Sequence, residues 1–300
     1  MKVFENYELK KHTTFKIGGN ARKVWFPESV DEFCDLLKNV KSPIILGNCS
    51  NVLVSSSGVD SDVIITTGMK NFTVEKNIIT AECGVKAPML SKTAAQEGLS
   101  GFEFMIGFPG TVGGIVYMNA SAHNQFVSDT CVEAEVFDIE TGKILNLNKK
   151  ELNFSYRHSI LQEKKYILLR AKFEMKIGEK EAVTALMERN TAFRKDKQPN
   201  LAQPNAGSVF KNPENDSAGR LLEKAGAKGL AEGSACVWHS HANFIVNNGG
   251  ASSRDVSNLM NKMYNIVKEK YRIELTPEIE YIGTPEKDEK VIWDTMLKRK

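Results

Sequence analysis

The 300-residue chain has no run approaching about 18 uninterrupted apolar residues, and its opening MKVFENYELKK contains no apolar stretch of signal-peptide length. Both absences lead to the expectation of a protein that is neither exported nor membrane-spanning. Cysteine is scarce and irregularly placed: Cys34, Cys49, Cys83, Cys131 and Cys236 form no C-x-x-C and are odd in number. Neither a disulfide framework nor a metal site is expected from them, and a reducing cytoplasm suits them. Charge of one sign is also lacking. The net +3 comes from dispersed Lys and Arg, with the terminal KRK the densest cluster, which reads as a solvated tail and not as a nucleic-acid surface. Internal repeats and low-complexity tracts are absent. So are the two common nucleotide signatures, because no G-x-G-x-x-G occurs and no Gly-Lys-Ser/Thr follows a glycine run, which excludes a Rossmann dinucleotide site and a P-loop. Ser208 lies in no G-x-S-x-G elbow, so a Ser-His-Asp hydrolase using the HSHAN run at 239–243 lacks its nucleophile turn.

What the chain does have is the run GFPGTVGG at 107–114. Gly107, Gly110, Gly113 and Gly114 uncover backbone N–H groups that any Cβ would hold away from an anion, which is how a protein cradles a pyrophosphate. A second small-residue turn, GNCSN at 47–51, follows the apolar segment PIIL, and together the two loops could grip both phosphates of a dinucleotide; each could equally be a tight turn. Two further constellations carry chemistry. SYRHS at 155–159 presents Arg157, able to pair bidentately with a carboxylate or to form a surface ion pair, and NAGSVFKNP at 205–213 presents Ser208, Lys211 and Asn212 behind Lys197.

Composition, at 41% hydrophobic and 26% charged, is that of a globular chain of roughly two domains. Short strands are expected at 23–26, 43–46, 63–66, 78–82, 132–138, 143–147 and 166–175, an α+β pattern with antiparallel bias. Ser29 with Glu32 reads as a capping box opening a helix, Pro88 and Gly98 bracket a second, and composition shifts near Gly178. Beyond it come helices from Glu179 to about Lys195 and over 217–225, the latter between Ser217 and Gly226, then a long one with Val256, Leu259, Met260, Met263, Ile266 and Val267 inward. A strand over 277–283 precedes a charged tail from Thr284, which is left unassigned.

GNCSNVLV, GFPGTVGGIVYMNA, SYRHS, KQP, AGSVFKNP, HANFIVN and PEIEYIG, in that order and spacing, closely resemble the UDP-N-acetylenolpyruvoylglucosamine reductase family from about Lys11 to Gly283. The short separation of Arg157 and Ser208 is similar to the shorter subtype, which lacks an inserted tyrosine-bearing loop. The resemblance implies an α+β fold: a two-lobed FAD-binding domain of the vanillyl-alcohol-oxidase (PCMH) type over 1–178, with lobes about 1–68 and 69–178, then a smaller α+β substrate-binding domain over 179–300. It implies non-covalent FAD, NADPH as co-substrate, a small-molecule nucleotide-sugar substrate, no nucleic-acid or membrane partner, and a monomer or weak oligomer in the cytoplasm. Gly47, Asn48, Cys49, Ser50, Asn51, Gly107, Pro109, Gly110, Thr111, Gly113, Gly114 and Asn119 would hold FAD, and Tyr156, Lys197 and Asn212 the substrate. Arg157, Ser208 and Glu278 match the catalytic positions. Three departures stand out: Cys49 replaces a glycine of G-x-G-S-N, ASAHNQ replaces a stretch with glycine and tyrosine after Asn119, and His158 replaces an acid or amide. A flavin oxidase of the same fold and a non-catalytic nucleotide-sugar-binding protein are the alternatives.

Overall fold

The computed structural model describes residues 1–200 and 202–298. The chain folds as two compact units, neither of them one continuous stretch: Met1–Val3, Val24–Asn48 and Asp62–Arg194 form the first, and Phe4–Lys23, Cys49–Ser61 and Lys195–Lys300 the second.

In the first unit, α1 (Val30–Asn39) begins where Ser29 Oγ accepts a hydrogen bond from the Glu32 N–H at 3.2 Å. The reciprocal arm of the expected capping box lands one residue earlier. Glu32 accepts from the Glu28 N–H at 2.8 Å while its other oxygen takes the Met1 ammonium at 2.9 Å, so the chain's own N-terminus redirects the carboxylate. Helix α2 (Ala87–Gln96) carries Pro88 in its first turn, where a missing N–H is harmless, and α3 (Val112–Tyr117) rises directly out of the glycine run. Strand Val63–Ile65 lies between Asn20–Phe26 and Ile44–Leu46, parallel to both, and its three side chains are fully buried. The strands expected at 78–82, 132–138, 143–147 and 166–175 join an unexpected one, Phe72–Glu75, in an antiparallel sheet with the order Ile144–Asn148, Cys131–Asp138, Tyr166–Glu174, Ile78–Glu82, Phe72–Glu75. Phe33, Ile64, Phe102, Phe104 and Phe173 anchor one hydrophobic core, with Phe102 and Phe173 edge to face at 5.0 Å between ring centres. Helix α4 (Lys180–Lys197) starts in this unit, where Val183 is buried and the Ser91 hydroxyl donates to Met187 Sδ at 3.6 Å. The composition shift at Gly178 therefore precedes the observed division, since that shift marks where the sheet ends and not where packing changes.

The second unit holds an antiparallel sheet ordered Asn205–Ser208, Phe244–Asn247, Ala235–Val237, Ala231–Glu232, and a parallel pair of Glu280–Ile282 with Val52–Val54. Ser217 Oγ caps α5 (Ala218–Ala225), which closes at Gly226 with φ +90°. Ser252 and Asp255 form a reciprocal box at the start of α6 (Ser253–Tyr271), whose Val256, Leu259, Met260, Met263 and Val267 are buried. Phe15, Ile17 and Leu53 enter the same core, contributions from the N-terminal third that no local pattern announces. The stretch left unassigned from Thr284 is mostly α7 (Lys287–Met296), with Trp293 and Met296 buried; its last two residues lie outside the described ones. Glu289, 1% exposed, is fully engaged: Ser257 Oγ donates to it at 3.2 Å, Tyr281 OH at 3.1 Å and the Glu286 N–H at 3.1 Å. Trp293 Nε1 completes the network by donating to Ser257 Oγ at 3.0 Å.

Trp293→Ala is accordingly expected to destabilise the protein by about 3–5 kcal/mol. Lys290→Ala, on the exposed face of the same helix, should stay within about 0.5 kcal/mol by urea unfolding; equal effects would place the helix outside the core.

Candidate functional site

In the first unit the glycine run is laid along the segment Cys83–Ala87. The Ala87 N–H donates to Gly110 O at 3.0 Å, Val112 N–H to Val85 O at 2.8 Å, and Gly113 N–H to Cys83 O at 2.7 Å. The start of the other loop meets it there. Asn48 Nδ2 donates to Pro109 O at 2.7 Å, and a Cβ on Gly47 would overlap Thr111 Oγ1. Thr111 is 1% exposed, yet its hydroxyl has no hydrogen-bond partner among the described residues. An unpaired buried hydroxyl costs about 1–3 kcal/mol, so its position beside a glycine that cannot be enlarged marks a place built for a polar group from outside the chain. Gly114 agrees: a Cβ there would meet no protein atom, so nothing in the fold demands glycine. Arg194, unnoticed in the sequence, stacks over Phe108 at 5.4 Å and fills the space a side chain at Gly107 would need. Burial lowers its guanidinium to about 10, still a cation at neutral pH, so the loop has a positive neighbour.

Arg157 stands at the tip of a tight turn closed by reciprocal backbone bonds between Ser155 and His158, both 3.1 Å, and adopts φ +55°. Such a left-handed conformation costs a non-glycine residue roughly 1–2 kcal/mol and must be enforced from around it. The enforcement is visible. Asn119 Nδ2 donates to Ser155 O at 3.0 Å while its Oδ1 accepts from the Ser128 N–H at 3.0 Å. Ser159 Oγ donates to Tyr117 O at 2.8 Å, and Gln162 Nε2 reaches Tyr117 O and Arg157 O, both 2.9 Å away. Asn119 thus spends its side chain on the turn that carries Arg157. The Arg157 guanidinium lies 5.2 Å from the Tyr156 ring centre, and Tyr156 is exposed.

The second unit brings Ser208, Glu278 and Asn51 to one place. The Glu278 N–H donates to Val209 O at 2.8 Å, directly after Ser208, and Lys211 N–H donates to Thr276 O at 2.9 Å. Asn51 grips the same segment, with Nδ2 donating to Glu278 O at 3.1 Å and its carbonyl accepting from the Glu280 N–H at 3.0 Å. Buried Asn243, which sequence reasoning gave no role, clamps the Ser208 strand: its Oδ1 accepts from Phe210 N–H at 3.0 Å and its Nδ2 donates to Phe210 O at 2.8 Å. The signal was the HANFIVN run, where an amide sits at each end of an apolar strand. Asn212 Oδ1 accepts from the Ala218 N–H at 3.0 Å, at the first turn of α5. Lys197, at the end of α4, pairs with Asp196 at 2.8 Å, and that hydrogen bond raises its ammonium above the usual lysine range. Cys49 holds φ +51° and is 4% exposed; Thr14 N–H donates to its carbonyl at 3.3 Å. Burial alone pushes its thiol up to about 12, so it is a neutral filler. Ser50, by contrast, is only partly buried.

Among the described residues no group of three or more His, Cys, Asp or Glu is placed to hold a metal, and no helix is long and apolar enough to cross a membrane. Residues 21–148 match the family model described as an FAD binding domain, and residues 198–282 match the C-terminal domain of UDP-N-acetylenolpyruvoylglucosamine reductase. A curated relative of that name from Caldicellulosiruptor saccharolyticus is 47% identical over 92% of this chain and 90% of its own, and one from Bacillus subtilis is 40% identical over 94% of each. The crystal structure of the Thermus caldophilus enzyme superposes with a TM-score of 0.81 at 34% identity, covering 94% of this chain and 98% of that one. The chain belongs to the UDP-N-acetylenolpyruvoylglucosamine reductase family. Its fold is the one expected from that resemblance, α+β, with a PCMH-type FAD-binding domain and the reductase C-terminal domain. The first family model contains both glycine loops and the second contains Ser208, Asn212 and Glu278, whereas Arg157 and Lys197 fall between them.

Two outcomes follow from this geometry. Thr111→Val should leave the apoprotein at least as stable, because it removes an unpaired buried hydroxyl, and should weaken FAD about tenfold in fluorescence titration; unchanged affinity would remove Thr111 from the cradle. Cys49 should resist a thiol reagent at pH 8 in the folded protein and react once the protein is unfolded, since its thiol stays protonated far above that pH.

Proposed function

We propose that this chain reduces UDP-N-acetylglucosamine enolpyruvate to UDP-N-acetylmuramate for peptidoglycan precursor synthesis, with NADPH as the electron source. The carrying observation is the cradle: a buried, unpartnered Thr111 hydroxyl, a Gly47 with no room for Cβ and the Arg194 charge fit the anionic pyrophosphate of FAD. Gly47 to Asn51 and Gly107 to Gly114 would hold it. The chemistry that bound FAD supplies is the carriage of a hydride equivalent from NADPH to the terminal carbon of the enol ether. This chain's residues then have three tasks. Arg157 pairs with the substrate carboxylate and takes up the negative charge that develops beside it, an interaction of the kind whose loss costs about 10²–10³ in rate. Glu278 orients the same oxygens, its backbone fixed to the Ser208 strand. Ser208 donates the proton from Oγ; a hydroxyl is a weak acid, but the carbanion it serves is a strong base, so placement outweighs pKa matching. Lys197 and Asn212 contact the uridine diphosphate portion, and Tyr156 packs on the substrate.

The assignment of Met1–Gly178 to flavin binding and Glu179 onward to substrate binding, a monomer or weak oligomer, no nucleic-acid partner and residence in the cytoplasm belong to the same reading. In single turnover, Ser208→Ala should show normal bleaching of the flavin by NADPH and reoxidation by the enolpyruvyl substrate slowed by about 10²-fold or more. An unimpaired second half would remove Ser208 as proton donor; flavin that substrate cannot reoxidise in the parent protein would remove the reaction itself.

A further inference from the structure

The hairpin Ser121–Phe126 makes a contact with the proposed carboxylate clamp. Arg157 Nη1 donates to Ser121 Oγ at 2.7 Å, short for a bond between a guanidinium and a neutral hydroxyl. We propose that Ser121 is the positioning residue for Arg157: it fixes the plane of the guanidinium so that the fork is preset for a planar carboxylate. This rests on the reading of Arg157 given above.

Three observations carry it. First, an arginine side chain is rotamer-rich, and a ring contact such as that with Tyr156, 5.2 Å from the guanidinium carbon, does not fix the rotation of the guanidinium over its face. A bond to one Nη removes that rotation. Second, the hydroxyl is itself held in place. Ser121 pairs with Phe126 and Ala122 with Gln125 in an antiparallel hairpin, and the turn residues His123 and Asn124 adopt φ +54° and +60°, the left-handed pair that suits the twist of a two-residue hairpin. The His123 ring packs edge-on against Phe193 of α4 at 5.2 Å, and the Val127 N–H closes the base onto Ala120 O at 3.0 Å. Third, the hairpin and the Arg157 turn are joined independently through Asn119, so the serine hydroxyl is not needed to bring them together. Its remaining use is to orient the guanidinium.

The test uses the flavin-loaded enzyme and separates flavin reduction by NADPH from reoxidation by the enolpyruvyl substrate. Ser121→Ala should keep its flavin content and be reduced within about twofold of the parent rate, but be reoxidised about tenfold more slowly, the size expected for losing one charge-assisted hydrogen bond. Ser121→Thr, which keeps the hydroxyl, should recover most of that loss. In an Arg157→Ala background, Ser121→Ala should add less than about twofold, because the hydroxyl has nothing left to orient. A tenfold loss persisting in that background, or a Ser121→Ala enzyme reoxidised like the parent while Arg157→Ala is blocked, would overturn the role of Ser121 and leave that of Arg157 standing. If Arg157→Ala is itself reoxidised at the parent rate, the reading of Arg157 falls, and the positioning role falls with it.

Discussion

A side-chain amide hydrogen-bonded to the backbone of a neighbouring loop is the interaction on which the whole site depends. Irregular backbone cannot satisfy its own N–H and C=O groups, and an asparagine supplies one acceptor and two donors at short reach. Asn48 ties the first loop to Pro109, Asn51 holds the backbone at Glu278, Asn119 holds the Arg157 turn, and Asn243 closes on both polar atoms of Phe210. Asn247 repeats the device, donating to Phe15 O at 3.0 Å and accepting from the Gly249 and Ala251 N–H groups. Each replaces the regular ladder that a helix or strand would have provided. The ligand-facing atoms can then be presented by loops without those loops being soft.

That economy gives the asparagines of the motifs a structural task beside any contact with a ligand. Asn48, Asn51, Asn119 and Asn212 fall in or beside the motifs and look like ligand contacts, yet each has a side-chain bond within its own unit. A motif marks where the backbone must be irregular, and irregular backbone recruits asparagine whether or not the amide also touches a ligand. The helices were more legible. Ser29, Ser217 and Ser252 start them and Gly226 ends one where local chemistry says they should, because capping is decided within a few residues.

What stayed hidden is non-local. Arg194 lies far along the chain from Gly107, and only the folded protein shows that the glycine makes room for it. The stretch from Thr284 reads only as a charged tail because its charges dominate its composition, although Trp293 and Met296 sit on one face of its helix a turn apart and are buried. Cys49 shows the limit of the opposite kind. Its departure from glycine was visible, but its acceptability depends on a φ of +51° being held while the side chain is buried, and no sequence states that.

The discontinuity of the second unit bears on how the protein is made. Its core joins Phe15 and Ile17 to Trp293 and Met296, which lie far apart along the chain. Contacts of such sequence separation carry a large loop-closure cost and form late. During synthesis Phe15 and Ile17 therefore reach their full set of core contacts only once α7 has been made. The first unit contains no residue beyond Arg194, so all of its residues precede α7 in the chain. The order of synthesis thus sets a vulnerable interval whose length is fixed by the distance along the chain between Phe15 and α7.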